Sequence, residues 1–315
     1  MSGIRAVVVD PDAPNRLALA RVEEPSPTPS EVLVRVEAVS LNRGEVRRAE
    51  SNEPGFRPGW DLAGTVERAA AGSGPPEGSR VVGFLPSGAW AELAAVPTDA
   101  VAELPEGVSF EEAATLPVAG LTALYALEEG GNLLGRSVLV TGASGGAGQF
   151  GVQLARVAGA RVVGLVRREE HVGLVEEAGA HEVVVDGSGA AAREQGPYHL
   201  VLESVGGEVL GNALSTLATG GTCVSFGVSA AAETTFDART LYLTGGARLY
   251  GFILFHEVLA KPASGGLDRL ARMVAQGGLR PRIEVEAPWT EVGEVAGRLI
   301  ERGYTGKAVL RVGGV

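Results

Sequence analysis

A run of small residues between a predicted strand and a predicted helix carries the clearest chemistry in this sequence. The apolar segment Ser137–Thr141 is typical of a buried strand, residues 149–158 are typical of a helix, and Gly142-Ala-Ser-Gly-Gly-Ala-Gly148 joins them. Small residues let the backbone approach a pyrophosphate closely, and a helix N-terminus adds free N–H donors and a positive dipole end. The turn therefore predicts a dinucleotide site, whose contacts we assign to Ser144, Gly145, Gly146, Ala147 and Gly148.

Two registers of the glycine pattern fit this turn. Gly146, Gly148 and Gly151 match the spacing G-x-G-x-x-G literally, whereas Gly145 and Gly148 match it with Ala143 in place of the first glycine. A tight strand–helix turn that binds no ligand is the alternative interpretation.

Two arginines follow the next predicted strand, about 20 residues further on, where dinucleotide-binding folds select their cofactor. An acidic residue there would bind the ribose 2′-hydroxyl of NAD, but this chain has Arg167 and Arg168. Guanidinium groups suit a 2′-phosphate in charge and in bidentate geometry. We therefore expect NADP rather than NAD, with a solvated surface turn as the alternative. Glu169 and Glu170 begin a predicted helix, and we expect them to point away.

The elements that must hold these residues change in character along the chain. Short β-type runs such as Ala89–Val96, separated by Pro and Gly clusters, predict a small, mostly β, barrel-like domain. From residue 116 to 279, apolar strands alternate with helices, which is typical of a doubly wound parallel sheet. From residue 280, a strand, an amphipathic helix and a last strand are expected to return to the first domain. We therefore expect an α/β protein with one domain from residues 1–115 and 280–315 and a Rossmann domain over residues 116–279.

Composition narrows the classes of function. The chain has 315 residues, a net charge of −11 and a single cysteine, Cys223. The negative charge disfavours binding to nucleic acid or to acidic membrane surfaces. No apolar run approaches the roughly 20 residues that span a bilayer, and the N-terminus lacks the apolar region of a signal peptide. We expect a cytoplasmic protein in which Cys223 is a buried, inert thiol.

Several segments, in the same order along the chain, resemble the medium-chain dehydrogenase/reductase family and, within it, the zinc-independent quinone oxidoreductase branch. The resemblance covers nearly the whole chain. It implies a GroES-like catalytic domain from both chain ends, a Rossmann domain between them and an active site in the cleft. It also implies reduction of a quinone or another α,β-unsaturated carbonyl by hydride from NADPH. The segments that carry it are Pro29–Asn42, Pro58–Gly64, Leu116–Ala123, Gly142–Gly148, Glu203–Gly207 and Gly306–Leu310.

The resemblance lets the presence of zinc be judged from individual residues. Asn42 stands where zinc-dependent relatives have their first cysteine ligand, and Trp60-Asp61 stands where they have a His-Glu pair. A single cysteine also rules out a four-cysteine structural site. The four histidines lack ligand spacing, and each is expected on the surface or in a loop. We therefore expect no metal, and hydrogen-bond donors that stabilise the charge developing on the carbonyl oxygen.

The resemblance also implies roles for single residues. Asn42 would donate to the carbonyl oxygen, Thr122 would touch the nicotinamide, and Glu45 would accept a hydrogen bond or relay a proton. Phe56 and Trp60 would line the substrate pocket, with packing in the core as the alternative, because the loop before Pro58 lacks the tyrosine of many relatives. Further cofactor contacts are expected at Val205, Gly206, Phe226, Gly227, Phe252, Ile253 and Lys307.

The expected partners are a small carbonyl substrate and a second copy of the chain, paired through residues 250–254. A short-chain dehydrogenase is disfavoured, because none of the five tyrosines has a lysine four residues later. An enoyl-thioester reductase and a non-enzymatic NADPH-binding regulator on the same fold stay open as alternatives.

Overall fold

The computed structural model describes residues 3–313. Contacts between Cα atoms divide the chain into two compact units, of which the first comprises Met1–Leu121 and Val258–Val315 and the second comprises Thr122–Glu257. Within the described range, no helix combines the length and the apolar character needed to cross a membrane.

The described residues form the following strands and α-helices. The strands of the described residues are β1 Gly3–Val9, β2 Leu17–Glu23, β3 Glu31–Ser40, β4 Asp61–Arg68, β5 Arg80–Phe84, β6 Leu93–Pro97, β7 Val101–Glu103, β8 Ser137–Thr141, β9 Arg161–Val166, β10 Glu182–Val185, β11 Tyr198–Glu203, β12 Leu217–Ser225, β13 Arg248–Gly251, β14 Ile283–Pro288 and β15 Lys307–Arg311. The α-helices are α1 Arg43–Ser51, α2 Phe110–Ala114, α3 Leu121–Glu128, α4 Gly146–Val157, α5 Val172–Glu177, α6 Gly207–Leu214, α7 Ala238–Thr244, α8 Leu254–Ala260, α9 Ala263–Ala275 and α10 Val292–Ile300.

The first unit is a mostly β structure organised around β3. This strand pairs antiparallel with β4, β6 and β15, and the sheet runs in the order β14-β15-β3-β4-β5-β7. β1 and β2 form a separate antiparallel pair. Valine and leucine side chains from these strands pack around Trp90 and Trp289, which are both fully buried. The core therefore holds segments from both ends of the chain together.

The second unit is a six-stranded parallel sheet within the described residues, in the order β10-β9-β8-β11-β12-β13. Within this sheet, the first strand in sequence, β8, lies at the centre. The next two strands, β9 and β10, extend to one side, and β11 then pairs with the other side of β8. The carboxyl ends of β8 and β11 therefore border the point where the strand order reverses, which is where doubly wound sheets bind ligands. The expected doubly wound sheet is confirmed.

The expected strand Ala89–Val96 is shorter in the structure, where only Leu93–Pro97 is extended as β6. The preceding residues leave the sheet because Trp90 is held elsewhere. Its indole N–H donates to the Ser40 carbonyl at 3.3 Å, and its own carbonyl accepts the Val7 N–H at 2.8 Å. The apolar character of residues 89–96 alone therefore did not reveal that the residues before β6 lie outside the sheet.

The boundaries between the two units also differ from those expected. They fall at 121/122 and 257/258 rather than at 115/116 and 279/280. The second difference arises because α9 packs against β5, β7 and the π-helical turn Leu116–Gly120 of the first unit. Its Leu267 and Leu270 are fully buried. The sequence pattern continues the strand–helix alternation through α9, and so placed this helix with the parallel sheet.

The single cysteine lies in β12, within the core of the second unit, and Cys223 is fully buried. Burial, and then the charge of Glu203, raise the pKa of its thiol above the usual range. The expectation of a buried thiol is confirmed, and a thiol that is both buried and protonated is a poor nucleophile.

Candidate functional sites in the two units

The glycine turn lies at the carboxyl end of β8. Gly142 has a φ of +57°, and the Gly145 N–H donates to its carbonyl at 2.9 Å. A Cβ on Gly148 would stand 2.3 Å from the same carbonyl oxygen, so no larger residue fits there without a backbone shift. α4 begins at Gly146 rather than at the expected Gln149, so that the glycines form its first turn. N–H groups in a first helical turn lack helical acceptors, and this turn is therefore suited to an anion.

The glycines of the two registers differ in how closely neighbouring backbone atoms approach them. Gly148, which both registers share, approaches backbone atoms. A Cβ on Gly151 would meet side chains rather than backbone, those of Leu202 at 3.0 Å and Val140 at 3.5 Å. Gly148 is therefore the position at which a glycine is most strictly needed.

The arginine turn follows β9, and both arginine side chains are exposed. Arg168 Nη1 lies 3.0 Å from Glu170 Oε1. The expectation that Glu170 points away is therefore wrong: the residues form a short 3-10 turn, Glu169–His171, which brings this carboxylate back toward Arg168. The arginine is held by a surface ion pair, which an anionic ligand of higher charge can replace.

His171 connects this turn to the glycine turn, and sequence reasoning assigned it no role. Its Nδ1 lies 3.1 Å from Ser144 Oγ, and its Nε2 lies 3.3 Å from Arg168 Nη2. Burial, and then the charge of Arg168, lower the pKa of His171. The available signal was its place three residues after Arg168, at the start of a helix.

The loops after β11 and β12 lie beside the glycine turn at the same sheet edge. Gly206 has a φ of +74°, and a Cβ there would stand 2.1 Å from the Ala231 carbonyl oxygen. A Cβ on Gly227 would stand 2.9 Å from the Ser204 carbonyl oxygen. The two loops thus pack backbone against backbone, and Val205 between them is half-buried.

An aromatic pair continues this edge toward β13. The rings of Phe226 and Phe252 meet edge to face, with centroids 6.4 Å apart. Phe252 is buried, whereas Ile253 is 50% exposed. The predicted cofactor residues of the second unit therefore fall around one sheet edge, although Ile253 faces solvent in this chain.

In the first unit, a second polar cluster surrounds the start of α1. Asn42 caps this helix, and its backbone N–H and Nδ2 donate to Glu45 Oε1 at 2.6 and 3.0 Å. Nδ2 also donates to Asp61 Oδ2 at 2.7 Å, and Asn42 Oδ1 accepts from Lys307 Nζ at 2.6 Å. Both amide protons of Asn42 are therefore engaged with carboxylates.

Lys307 and Asp61 form the buried ion pair of this cluster. Lys307 Nζ lies 3.4 Å from Asp61 Oδ2 and also donates to the Leu41 carbonyl at 3.0 Å. Asp61 further accepts from Ser40 Oγ at 2.7 Å and from the Val118 N–H at 2.9 Å. Lys307 was predicted to contact the cofactor. Its ammonium group has acceptors within the first unit and is almost fully buried.

Glu45 is buried as well. Its Oε2 accepts the Trp60 N–H at 2.7 Å, in addition to the two bonds from Asn42. Burial, and then the charge of Asp61, raise its pKa well above the usual range, while Lys307 and the bonds from Asn42 act in the opposite direction.

Three predicted residues remain: Phe56, Trp60 and Thr122. Phe56 packs against the core of the first unit, and Arg48 lies 5.7 Å from its ring centroid. The Trp60 ring covers Gly44, where a Cβ would stand 2.8 Å from it. Thr122 is buried in α3 and belongs to the second unit. Packing therefore accounts for the position of Phe56.

Among residues 3–313, no three or more His, Cys, Asp and Glu side chains are grouped to hold a metal ion. The polar cluster of the first unit holds the lysine Lys307 and the amide Asn42 beside two carboxylates.

Comparison with known proteins assigns both units. Residues 28–106 match the model of the alcohol dehydrogenase GroES-like domain, and residues 146–267 match that of the zinc-binding dehydrogenase. The quinone oxidoreductase of Sus scrofa is 30% identical over 309 residues, which cover 91% of this chain and 90% of that protein. The chain belongs to the medium-chain dehydrogenase/reductase family. Its first unit is the GroES-like domain of that family, and its second is the Rossmann domain.

Two further matches describe the range of relatives. A mycobacterial protein solved as a complex with NADPH is 26% identical, with a TM-score of 0.87, and the match covers 98% of this chain and all of that one. A mycocerosic acid synthase-like polyketide synthase of Mycobacterium tuberculosis is 28% identical over 330 residues. That match covers 99% of this chain but only 15% of the synthase, so this chain spans a small part of that relative.

The buried ion pair leads to a prediction about stability. Lys307→Met should lower the free energy of unfolding by about 3–5 kcal/mol, because it leaves the carboxylate of Asp61 buried without a counter-charge. Urea denaturation, followed by tryptophan fluorescence, measures the change. The double variant Asp61→Asn/Lys307→Met should recover part of the loss. A single-variant cost below about 1 kcal/mol would show that the pair is not coupled.

Proposed function

We propose that this protein is an NADPH-dependent oxidoreductase that transfers hydride to a quinone or another α,β-unsaturated carbonyl. The observation that carries the proposal is the connected pair of turns in the second unit. The glycine turn offers helix N-terminal N–H groups, and His171 joins it to the arginine turn. The mycobacterial relative solved with NADPH and the Sus scrofa quinone oxidoreductase support the same cofactor and reaction class.

We infer that Arg167, Arg168 and His171 bind the 2′-phosphate of NADPH. A phosphate monoester carries nearly two negative charges and forms strong charge-assisted bonds to guanidinium groups. Arg168 pairs at the surface with the single charge of Glu170. Such an exposed ion pair costs little free energy to break. Ser144 would lie between this phosphate and the pyrophosphate, since its hydroxyl contacts His171.

The residues of the first unit would position the reacting carbonyl. Bound NADPH would supply the hydride. Direct donation from Asn42 to the carbonyl oxygen would require one of its bonds to Glu45 or Asp61 to break. We therefore propose that Asn42, Glu45 and Lys307 hold the start of α1 in place, and that Trp60, whose backbone N–H is fixed by Glu45, walls the substrate pocket. Thr122 is proposed as the contact of the second unit with the nicotinamide.

An enoyl thioester is the second candidate substrate. The match of 99% of this chain to part of a polyketide synthase favours it. Hydride addition to an enoyl thioester and to an enone places negative charge on the same kind of oxygen, so the site chemistry does not separate them.

A panel of acceptors tests the reaction class. Steady-state oxidation of NADPH should be faster with at least one quinone, enone or enoyl thioester than with saturated ketones of the same size. Absorbance at the nicotinamide band measures the rate. Tight NADPH binding without turnover of any acceptor would instead favour a non-enzymatic regulator.

The arginine turn predicts the choice of cofactor. Arg167→Ala/Arg168→Ala should raise the Kd for NADPH about tenfold to a hundredfold, because two charge-assisted contacts to the 2′-phosphate are lost. The Kd for NADH should change less than about twofold, since NADH lacks that phosphate. Nicotinamide fluorescence measures both constants. Arg136→Ala/Arg193→Ala is the matched control, because both arginines are exposed and precede strands of the same unit. Equal weakening of both cofactors would exclude the NADPH assignment.

We further propose that the protein is a homodimer paired through β13. This strand is the edge of the parallel sheet, and its unpaired backbone groups can extend a sheet into a second copy. Leu249 on β13 is 48% exposed, and Tyr242 and Leu243 on α7 are also exposed.

Leu249→Lys should convert the dimer to a monomer, because it places two like charges near each other across the two-fold axis. Sedimentation velocity measures the mass. Leu134→Lys is the control, because Leu134 is an exposed leucine of the same unit outside β13. A wild-type protein that sediments as a monomer would contradict the proposal.

A further inference from the structure

Glu203, the last residue of β11, is a fully buried carboxyl group at the sheet edge that no proposed chemistry uses. Its Oε1 accepts three hydrogen bonds, from Thr141 Oγ1 at 3.2 Å, from the Val205 N–H at 2.7 Å and from the Gly206 N–H at 3.0 Å. Within the described residues, its Oε2 has no hydrogen-bond partner of ordinary geometry. One oxygen atom therefore organises the loop that follows β11, while the other is unpaired.

The same contacts tie that loop to the glycine turn. Thr141 Oγ1 accepts the Ser204 N–H at 3.0 Å, and Ser204 Oγ donates to the Thr141 carbonyl at 3.3 Å. A Cβ on Gly142 would stand 2.8 Å from Ser204 Oγ. The end of β8 and the loop Ser204–Gly206 are thus fixed against each other through Glu203 and Thr141.

The unpaired oxygen bears on the charge of this group. An ionised carboxylate with an unpaired oxygen is costly to bury, whereas a proton on that oxygen removes the charge and gives up none of the three bonds to Oε1. Burial raises the pKa of Glu203, while its hydrogen bonds and the side chain of Ser225 lower it. The arrangement therefore favours the neutral acid.

We propose that Glu203 is a positioning residue which, as a neutral acid, holds the loop Ser204–Gly206 against the glycine turn in the conformation that binds the cofactor. Val205 and Gly206 are predicted cofactor contacts, so the inference rests on the proposed function. Glu203 acts only through these loop residues, because its own carboxyl group is fully buried.

Two variants of Glu203 distinguish the effect of its acceptor oxygen on NADPH binding from the effect of a negative charge. Glu203→Gln keeps an acceptor at the position of Oε1 and should leave the Kd for NADPH within about twofold of wild type. Glu203→Ala removes the acceptor and should raise that Kd about tenfold, with a larger effect on the KM for NADPH than on kcat. Nicotinamide fluorescence and steady-state kinetics give these values.

Two threonine variants provide a matched pair. Thr141→Val removes one donor to Glu203 and the acceptor of the Ser204 N–H, and should raise the Kd for NADPH about threefold to fivefold. Thr216→Val removes a buried hydroxyl that donates to the Ala213 carbonyl at the far end of α6, and should leave the Kd unchanged. If Glu203→Ala fails to fold, Thr141→Val and Glu203→Gln still test the proposal.

Amide hydrogen exchange gives a readout that needs no cofactor. Protection of the Val205 and Gly206 amides should fall in Glu203→Ala and persist in Glu203→Gln. Unchanged protection and unchanged NADPH affinity in Glu203→Ala, with only a lower Tm, would overturn the proposal. A loss of amide protection and of NADPH affinity in Glu203→Gln as large as that in Glu203→Ala would contradict the neutral form of Glu203. A wild-type protein that binds no NADPH would contradict the proposed function alone, since the exchange experiment would still decide the role of Glu203.

Discussion

Both units bury carboxyl groups next to loops that carry predicted site residues, and a buried carboxylate must be matched by donors or by a counter-charge. In the first unit, Lys307, Asn42 and backbone N–H groups meet this requirement for Glu45 and Asp61. In the second unit, Thr141 and two backbone N–H groups donate to one oxygen of Glu203, and the proposed neutral form needs no counter-charge. Each of these carboxyl groups also joins separate segments of the chain: Glu45 contacts Trp60, Asp61 contacts Lys307 and Glu203 contacts Thr141.

The local parts of this architecture could be predicted from the sequence. The strand–turn–helix at the glycines depends on neighbouring residues only, and both its position and its suitability for an anion followed from residue types. The start of α4 was predicted three residues late, because glycine has a low helix propensity and the packing of Gly148 on Gly142 overrides it. The parallel sheet followed from continuous apolar strands for the same local reason.

The contacts that depend on distant residues could not be predicted in this way. Lys307 lies 246 residues from Asp61 in sequence, and the pattern around it gave no sign that it would be buried with two carboxylates. The amide of Asn42 was expected to be free for a substrate, but both of its protons are used within the first unit. His171 was overlooked because a lone histidine has no distinctive spacing, and only the fold brings it to Ser144. The roles of these residues in catalysis remain predictions.

The way the first unit is assembled has a consequence for folding during synthesis. β15 pairs with β3 and β14, and Lys307 at its start neutralises the cluster around Asn42. The second unit, by contrast, is one continuous segment, Thr122–Glu257. On a ribosome, the nucleotide-binding unit can therefore complete its sheet while β3, already paired with β4 and β6, still lacks its partner β15. The carboxylates of Glu45 and Asp61 receive their cation only after β15 has left the exit tunnel, so the polar cluster of the first unit is among the last features of the molecule to form.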